Sequence, residues 1–431
     1  MQVLSRWDSQ RLSTTTRGIP LVDGATTEEI GRQRWSPSRG DLALPALTLD
    51  EAAFAANRDL FLKWCASAGV SVAPHAKTPM SPELASSLRA AGAWGTTVAN
   101  IQQAAVLLAS GERRLLLANE IGGLAAGRRL GALLGAYPDV EFHAFADSPA
   151  AVAALAEAAR IAGRSELSVL VELGAGRAGA RDRAAIEATI AAVLAADRLV
   201  LGGVATYEGA AATPDTEATM RAIAALLERT IDAFALVRIT APQRPLIISA
   251  GGSAYFDIVA RLLAPVAQAD GNARLVLRSG ALFFADHGIY ARAFAEIDRR
   301  GGLLVDSQHL SAAESFRPAL TLWAEVLSRP EDGLAIAGFG MRDASFDQGL
   351  PVPLRVFRDG VELHGLAAAL AVSRLNDQHA FLSVAPEAGL AVGDIIALGI
   401  SHPCTCLDRW RVILGLDADG VVTRVLPTQF G

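Results

Sequence analysis

The chain has 431 residues, of which 51% are hydrophobic and 19% charged, and its formal net charge is −6. This length predicts two domains unless one of them is a barrel, and the composition allows a large buried core. The acidic balance excludes a nucleic-acid footprint, and the lack of an apolar run of about 18 residues excludes a membrane span.

The three cysteines predict the cellular compartment. Cys65, Cys404 and Cys406 form no disulfide framework and suit a reducing cytosol. The segment from Met1 to Asp41 lacks the apolar stretch of a signal peptide. We therefore expect a cytoplasmic protein.

Helical patterns and short apolar runs alternate through the first two thirds of the chain. Asp50 is predicted to cap a helix that runs to Ala68. Strand candidates separated by helices lie at 69–73, 95–98, 114–118, 140–145, 167–172, 199–206, 245–249 and 274–278. Repeated strand–helix units of this number predict a parallel (β/α)8 barrel of the TIM type.

The sequence pattern changes near residue 301. Beyond it, short strand-like runs are separated by turn signals such as Arg358-Asp359-Gly360. Such spacing is typical of an antiparallel β domain. We predict an α/β protein with a barrel over residues 46–300 and a mainly antiparallel β domain over 301–431. Residues 1–45 are predicted to join the β domain or to cover the barrel.

Lys77 lies directly after the first strand, in the segment PHAKT at residues 74–78. A lysine is rarely buried without a chemical reason. Desolvation lowers its pKa, and a neutral amine can form a Schiff base with an aldehyde. A solvated loop lysine is the competing interpretation. His75 could assist proton transfer, although a structural histidine is the alternative.

A second motif lies near the other end of the chain, where His402 and Cys404 follow an apolar run. On an extended segment, residues i and i+2 point the same way, so the pair could bind one metal ion. Zinc suits this nitrogen–sulfur pair best. Cys406 is either a third ligand or a buried thiol.

Two glycine-containing loops follow other strands. The loop SAGGS at 249–253 can offer backbone N–H groups and hydroxyls to a phosphate, and an ordinary β–α turn is the alternative. Residues 174–179 read GxGxxG, the dinucleotide fingerprint. That fingerprint also requires an acidic residue at the end of the next strand, and Asp197 precedes its strand instead.

Together these motifs resemble the fold-type III pyridoxal-phosphate enzymes, in the branch of D-serine dehydratase and D-threonine aldolase. The resemblance covers nearly the whole chain after Leu44. It rests on the segments 74–78, 94–99, 117–120, 172–179, 205–209, 249–253, 277–280 and 402–404. It implies an alanine racemase-like barrel with a β domain.

The resemblance also implies roles for individual residues. Lys77 would bind pyridoxal 5'-phosphate (PLP), with His75 beside it. His402 and Cys404 would bind Zn2+ or another divalent metal. The remaining cofactor-binding residues would be Arg177 near the phenolic oxygen, Tyr207 facing the ring, the phosphate loop with Ser249, Gly251, Gly252 and Ser253, and Arg278.

From these residues we expect a homodimeric dehydratase that converts a D-3-hydroxyamino acid, such as D-serine or D-threonine, to a 2-oxo acid and ammonia. Aldolase members of the branch tend to use an oxygen ligand where this chain has Cys404, which favours dehydration. Retro-aldol cleavage at the same site, a non-catalytic PLP carrier and a dinucleotide oxidoreductase are the alternatives. Asp286 and His287 have no assigned role, and His379 either lies beside the metal or is structural. Asp343 and Asp347 are predicted to lie in a solvated loop, with an approach to the site from the β domain as the alternative.

Overall fold

The computed structural model of the protein describes residues 11–430, so the first ten residues of the predicted N-terminal segment lie outside the described residues. Its strands are, in chain order, β1 Ala46–Asp50, β2 Ser71–Val72, β3 Thr96–Val98, β4 Arg114–Leu117, β5 Glu141–Ala146, β6 Leu167–Leu173, β7 Leu199–Thr206, β8 Leu246–Ala250, β9 Ala273–Leu277, β10 Leu303–Val305, β11 Gln308–Leu310, β12 Leu320–Glu331, β13 Leu334–Ala337, β14 Val352–Arg358, β15 Val361–Glu362, β16 Leu370–Leu375, β17 Ala380–Val384, β18 Ile395–Gly399, β19 Val412–Leu416 and β20 Val422–Pro427.

The α-helices of the same residues are α1 Thr27–Gly31, α2 Glu51–Ser67, α3 Pro82–Ala90, α4 Ile101–Ala109, α5 Gly123–Ala136, α6 Pro149–Ala162, α7 Arg183–Ala195, α8 Thr216–Thr240, α9 Phe256–Asp270, α10 Ile289–Arg299, α11 Ala312–Ser315 and α12 Pro403–Leu407. Helix α2 begins as predicted, because the Asp50 carboxylate accepts the Ala53 N–H at 2.9 Å. None of the helices that the structure describes is long and apolar enough to cross a membrane.

Strands β2 to β9 form one curled parallel sheet in the order β2-β9-β8-β7-β6-β5-β4-β3. Backbone hydrogen bonds close it between the loop after β2 and strand β3: Ala76 N–H to Thr97 O at 2.8 Å, and Thr97 N–H to Pro74 O at 3.0 Å. Apolar side chains such as Leu116, Phe145 and Leu170 fill the interior. The predicted barrel is confirmed, and its closure places the residues that follow β2 on its rim.

The second sheet is mixed and mainly antiparallel, with the central order β15-β14-β18-β12-β1-β19-β20. Strand β13 is attached to β12, β17 pairs with β13, and β16 pairs with β17. Strand β1 pairs antiparallel with β12 and parallel with β19. The chain therefore leaves this sheet at Asp50 and enters the barrel through α2. Leu12, Ile19 and Ile30 pack with Val412 and Leu414, so the described part of the N-terminal segment lies on the second sheet. The predicted β domain is confirmed.

A polar cluster lies at the opposite, amino end of the barrel strands. His143 hydrogen-bonds through Nδ1 to Ser168 Oγ at 2.8 Å and through Nε2 to Glu141 Oε1 at 3.0 Å. Arg114 pairs with Glu141 and lies 4.9 Å from the ring centroid of Trp94. The hydrogen bond from His143 is the main cause that lowers the pKa of Glu141 to about 2, and Arg114 adds to it. The cluster thus stabilises the charged form of Glu141.

We expect Glu141→Gln to reduce the free energy of unfolding at pH 7 by about 1 kcal/mol, a value discounted because the side chain is half exposed. The folded pKa lies below the unfolded value of about 4.3, so the stabilisation is present above that pH and is lost as the pH falls towards 2. Denaturant titrations of wild type and variant between pH 7 and pH 3 measure the difference. Glu187→Gln, which removes an exposed ion pair with Arg183, is the control. A difference that stays constant over this range would contradict the prediction.

Candidate active site

A cavity of about 380 Å³ opens at the carboxyl ends of the barrel strands, where barrel enzymes carry their active sites. Its wall contains His75, Lys77, Arg177, Tyr207, Gly252, Ser253, Arg278, His402 and Cys404, together with residues such as Thr78, Asn119 and Tyr290 that the sequence analysis did not assign. The structure therefore brings the predicted barrel residues and the predicted metal pair of the second domain into one cavity. Of the predicted site residues, Ser249 and Gly251 are not part of this wall.

Lys77 extends from the loop that closes the barrel. Its side chain is exposed to solvent and lines the cavity. Burial lowers the pKa of Lys77, and Arg177 and Arg278 lower it further against the opposing effect of Cys404. The environment therefore favours the neutral, nucleophilic form of the amine.

His75 lies beside Lys77, and its pKa is held well below the usual range by burial, by Lys77 and by Arg278. The imidazole is therefore neutral at physiological pH and is a weak proton acceptor. Gly280 lies directly against this residue. A Cβ on Gly280 would come within 2.6 Å of the His75 carbonyl oxygen, so only glycine lets the two loops approach this closely.

The 249–253 loop is fixed by hydrogen bonds to Glu208, which is fully buried. Its carboxylate accepts the N–H groups of Gly251 at 3.0 Å and Gly252 at 2.6 Å. These two amides are therefore engaged by protein, while Ser253 lies in the cavity wall. Ser249 is also fully buried and accepts a hydrogen bond from Arg278 at 2.8 Å. Sequence reasoning missed this function of Glu208, which joins residues 43 positions apart.

Two cations flank the tyrosine of the cavity. The Arg177 guanidinium lies 5.1 Å from the ring centroid of Tyr207. Arg278 is buried and donates to Thr206 O at 2.6 Å as well as to Ser249. The two guanidinium groups make this part of the wall positive, which suits a ligand with phosphate and carboxylate groups.

Tyr290, at the start of α10, was also missed from the sequence. Burial raises its pKa well above the usual range, as do Cys404 and Tyr207, while a hydrogen bond with Ser253 has the opposite effect. Its hydroxyl is therefore protonated and lies between the 249–253 loop and the metal pair. The short helical pattern after Asp286 and His287 was the available signal, but it does not indicate which face meets the cavity.

His402 and Cys404 line the cavity from the second domain, at the start of α12. His402 Nδ1 lies 2.6 Å from Asp347 Oδ2, and Thr405 Oγ1 donates to Asp347 Oδ1 at 2.6 Å. Burial opposes protonation of His402, but hydrogen bonds to Cys404 and Asp347 outweigh it and raise the pKa to about 9. Asp347 lies in an exposed loop, as the sequence predicts, and its carboxylate also reaches His402.

The remaining candidates lie outside the cavity wall. Cys406 is fully buried and burial raises the pKa of its thiol to about 12, which fits the buried-thiol interpretation. His379 is exposed at the turn between β16 and β17. Asp286 is buried and accepts the N–H groups of Gly288 at 2.7 Å and Tyr290 at 2.9 Å, so it caps the start of α10. Burial raises the pKa of Asp286 to about 6.

The GxGxxG segment has no dinucleotide geometry. It forms a tight loop in which a Cβ on Gly174 would lie 1.7 Å from Ala178 O, and α7 begins only at Arg183. The fingerprint requires a helix that starts within the glycine motif and an open parallel sheet. Here the loop instead carries Arg177 to the cavity of a closed barrel.

Comparison with known proteins agrees with this architecture. The family model "Alanine racemase, N-terminal domain" matches residues 49–257, and the model "Putative serine dehydratase domain" matches residues 319–416. The chain has the alanine racemase-like fold of the fold-type III pyridoxal-phosphate enzymes, and the two matches confirm the predicted resemblance to that family.

Two characterised relatives match most of the chain. D-threonine aldolase of Arthrobacter sp. is 25% identical over 363 residues, which are 83% of this chain and 85% of that protein. D-threo-3-hydroxyaspartate dehydratase of Delftia sp. (strain HT23) is 27% identical over 367 residues, 82% of this chain and 89% of that protein. Both relatives are lyases.

Solved structures show the same fold. D-threonine aldolase of Filomicrobium marinum superposes with a TM-score of 0.72 at 24% identity, covering 90% of this chain and 95% of that one. A cysteine-to-alanine variant of D-threo-3-hydroxyaspartate dehydratase, described as a metal-free form, superposes with a TM-score of 0.70 at 22% identity, covering 92% and 100%.

The chain contains only two lysines, Lys63 and Lys77, which allows a direct test of the lowered pKa. Lys63 is largely exposed and pairs with Asp306 at 3.0 Å. We expect an amine-acylating reagent to modify Lys77 of cofactor-free protein faster than Lys63 between pH 7 and 9, because more of Lys77 is neutral there. Peptide mass spectrometry measures both rates, and equal rates at pH 7 would contradict the prediction.

Proposed function

We propose that the protein is a PLP- and zinc-dependent dehydratase that converts a D-3-hydroxyamino acid, such as D-serine or D-threonine, to a 2-oxo acid and ammonia. One observation carries the proposal. A cavity of a fold-type III enzyme contains a lysine with a lowered pKa on one wall and a histidine–cysteine pair on the opposite wall. The first suits PLP and the second suits a Lewis-acidic metal.

The residues present fit PLP. Lys77 would bind its aldehyde, Ser253 and neighbouring backbone would hold its phosphate, and Arg177 and Tyr207 would flank its ring. Glu208 would fix the phosphate loop without contacting the phosphate itself. When bound, the cofactor supplies an electron sink for the charge left by loss of the α-proton. The free Lys77 amine would remove that proton, since its lowered pKa makes it a base near neutral pH.

The residues also fit a metal. Nitrogen and thiolate ligands select zinc among the common divalent ions, and Asp347 holds His402 as catalytic zinc ligands are commonly held. Within residues 11–430 no group of three His, Cys, Asp or Glu side chains is arranged to hold a metal ion. We therefore propose that the metal has two protein ligands and open positions for substrate and water. When bound, the metal supplies Lewis acidity towards the β-hydroxyl group.

Retro-aldol cleavage is the second candidate, and a specific observation favours it. The two characterised relatives are similarly close to this chain, and one of them is an aldolase. Both reactions use the same lysine and the same bound hydroxyl group. A non-catalytic PLP carrier is less consistent with the cavity, because a carrier has no use for a metal pair opposite its lysine.

The cofactor proposal is tested on the two lysines. Protein purified with PLP should absorb visible light, and the band should disappear in Lys77→Arg but persist in Lys63→Arg. The same substitution is made at both positions, and arginine cannot form the Schiff base, so the comparison identifies the lysine that binds the cofactor. Borohydride reduction followed by peptide mapping should place the cofactor on the peptide that contains Lys77. A band that survives in Lys77→Arg would contradict the assignment.

Metal removal tests the second half of the proposal. Chelation or Cys404→Ala should abolish turnover while the visible cofactor band remains, because the ligands and the lysine come from different domains. Cys65→Ala, which changes a buried thiol far from the cavity wall, is the control. Full activity of metal-free protein would remove the metal from the proposal.

Product analysis with D-threonine separates the two reactions. Dehydration yields 2-oxobutanoate and ammonia, whereas retro-aldol cleavage yields glycine and acetaldehyde. We expect the first pair as the main products, on the argument that the thiolate of Cys404 keeps zinc where an oxygen ligand would suit a harder metal. Glycine and acetaldehyde as the main products would transfer the protein to the aldolase branch. The expected homodimer also stays a prediction, which light scattering of the purified protein would check.

A further inference from the structure

His402 and Cys404 each have a hydrogen-bond contact with a side chain outside the pair. The two contacting side chains come from different domains. Cys404 Sγ lies 3.2 Å from Thr78 Oγ1 in the barrel. His402 Nδ1 lies 2.6 Å from Asp347 Oδ2 in the second domain. Thr78 is 1% exposed, so its hydroxyl has no access to bulk water, and it directly follows Lys77 in the chain.

The direction of both hydrogen bonds follows from the chemistry of the ligands. A cysteine that binds a metal is a thiolate and can only accept, so Thr78 must donate to it. A histidine that binds through Nε2 keeps its proton on Nδ1, which must donate to Asp347. Thr405 holds the other Asp347 oxygen at 2.6 Å, so the carboxylate is itself fixed.

We propose that Thr78 and Asp347 are positioning residues of the metal pair, in which Asp347 fixes the orientation of His402 and Thr78 fixes the Cys404 sulfur beside Lys77. The proposal rests on the metal site of the proposed function and adds the residues that control it. The Thr78 contact crosses from the barrel to the second domain. It therefore sets the distance between the lysine and the metal, which is the geometry that a substrate spanning both requires.

The Thr78 contact also tunes the metal. A hydrogen bond to a thiolate withdraws charge from the sulfur, so the metal keeps more of its positive charge and remains a stronger Lewis acid. Loss of the hydroxyl should therefore change the electronic spectrum of the site as well as its affinity. A purely structural threonine would change neither.

The test uses the PLP-loaded protein with cobalt in place of zinc, since cobalt–thiolate sites absorb light in a band that reports on the sulfur. Thr78→Val keeps the shape of the side chain and removes the hydroxyl, whereas Thr78→Ser keeps the hydroxyl. We expect Thr78→Val to shift the cobalt–thiolate band to lower energy and to weaken zinc binding about 10-fold. Thr78→Ser should resemble the wild type. The visible band of the cofactor reports that each variant is folded.

For Asp347 we expect a graded loss of zinc affinity, about 10-fold in Asp347→Asn, which can still accept from Nδ1, and about 100-fold in Asp347→Ala. Asp377→Asn, which changes an exposed aspartate paired with Arg342 in the same domain, is the matched control and should bind zinc as the wild type does. Competition with a chromophoric chelator measures each dissociation constant.

The outcomes separate the inference from the function on which it rests. Wild-type protein that binds neither zinc nor cobalt would overturn the metal site and this inference with it. Wild-type metal binding with an unchanged cobalt spectrum and zinc affinity in Thr78→Val would overturn the assignment of Thr78 alone. Equal loss in Thr78→Ser and Thr78→Val would do the same, because the hydroxyl would then not be the group that matters. Wild-type zinc affinity in Asp347→Ala would overturn the assignment of Asp347.

Discussion

Two backbone hydrogen bonds position His402 and Cys404 opposite Lys77. The N–H groups of His287 and Ile289, beyond the last barrel strand, donate at 3.0 Å to the carbonyls of Ile400 and Ser401. Gly288 lies between the two donors, and a Cβ there would come within 2.4 Å of the Ser401 oxygen. A side chain at this position would therefore separate the segments. Because His402 follows directly, its position over the barrel depends on this close contact.

Two guanidinium groups concentrate positive charge at the rim of the barrel, one of them buried and the other exposed. Arg278 is nearly fully buried, and Lys77 and Arg177 share the same cavity wall. A buried cation is tolerated when hydrogen bonds satisfy it, and Arg278 has such bonds to Ser249 and Thr206. The Glu208 carboxylate, which binds the 249–253 loop, balances part of the positive charge. The result is a site that favours a neutral lysine and attracts an anionic ligand.

The two ends of the barrel use similar residue types for different purposes. At the amino end, Glu141 hydrogen-bonds to His143 and forms an ion pair with Arg114. This cluster is therefore a stabilising element. At the carboxyl end, Lys77 and His402 face open space. The difference lies in the surroundings and not in the residues, since loops surround the carboxyl ends of parallel strands and leave room there for a ligand.

The sequence by itself determined the eight barrel strands and the β domain, and it singled out Lys77 and the pair His402 and Cys404 as candidate site residues. Each of these depends on short-range information: apolar periodicity, a cap at Asp50 or a spacing of two residues. The tertiary structure decided which of the predicted loop residues reach the cavity. It removed Ser249 and Gly251 from the wall and added Tyr290. The tertiary structure also determined which distant residues contact His402 and Cys404. Thr78 and Cys404 are 326 positions apart, and Asp347 and His402 are 55 apart. No local pattern encodes such pairs, because Thr78 meets Cys404 only when the two domains pack together, and Asp347 meets His402 only when distant loops of the second domain fold against each other.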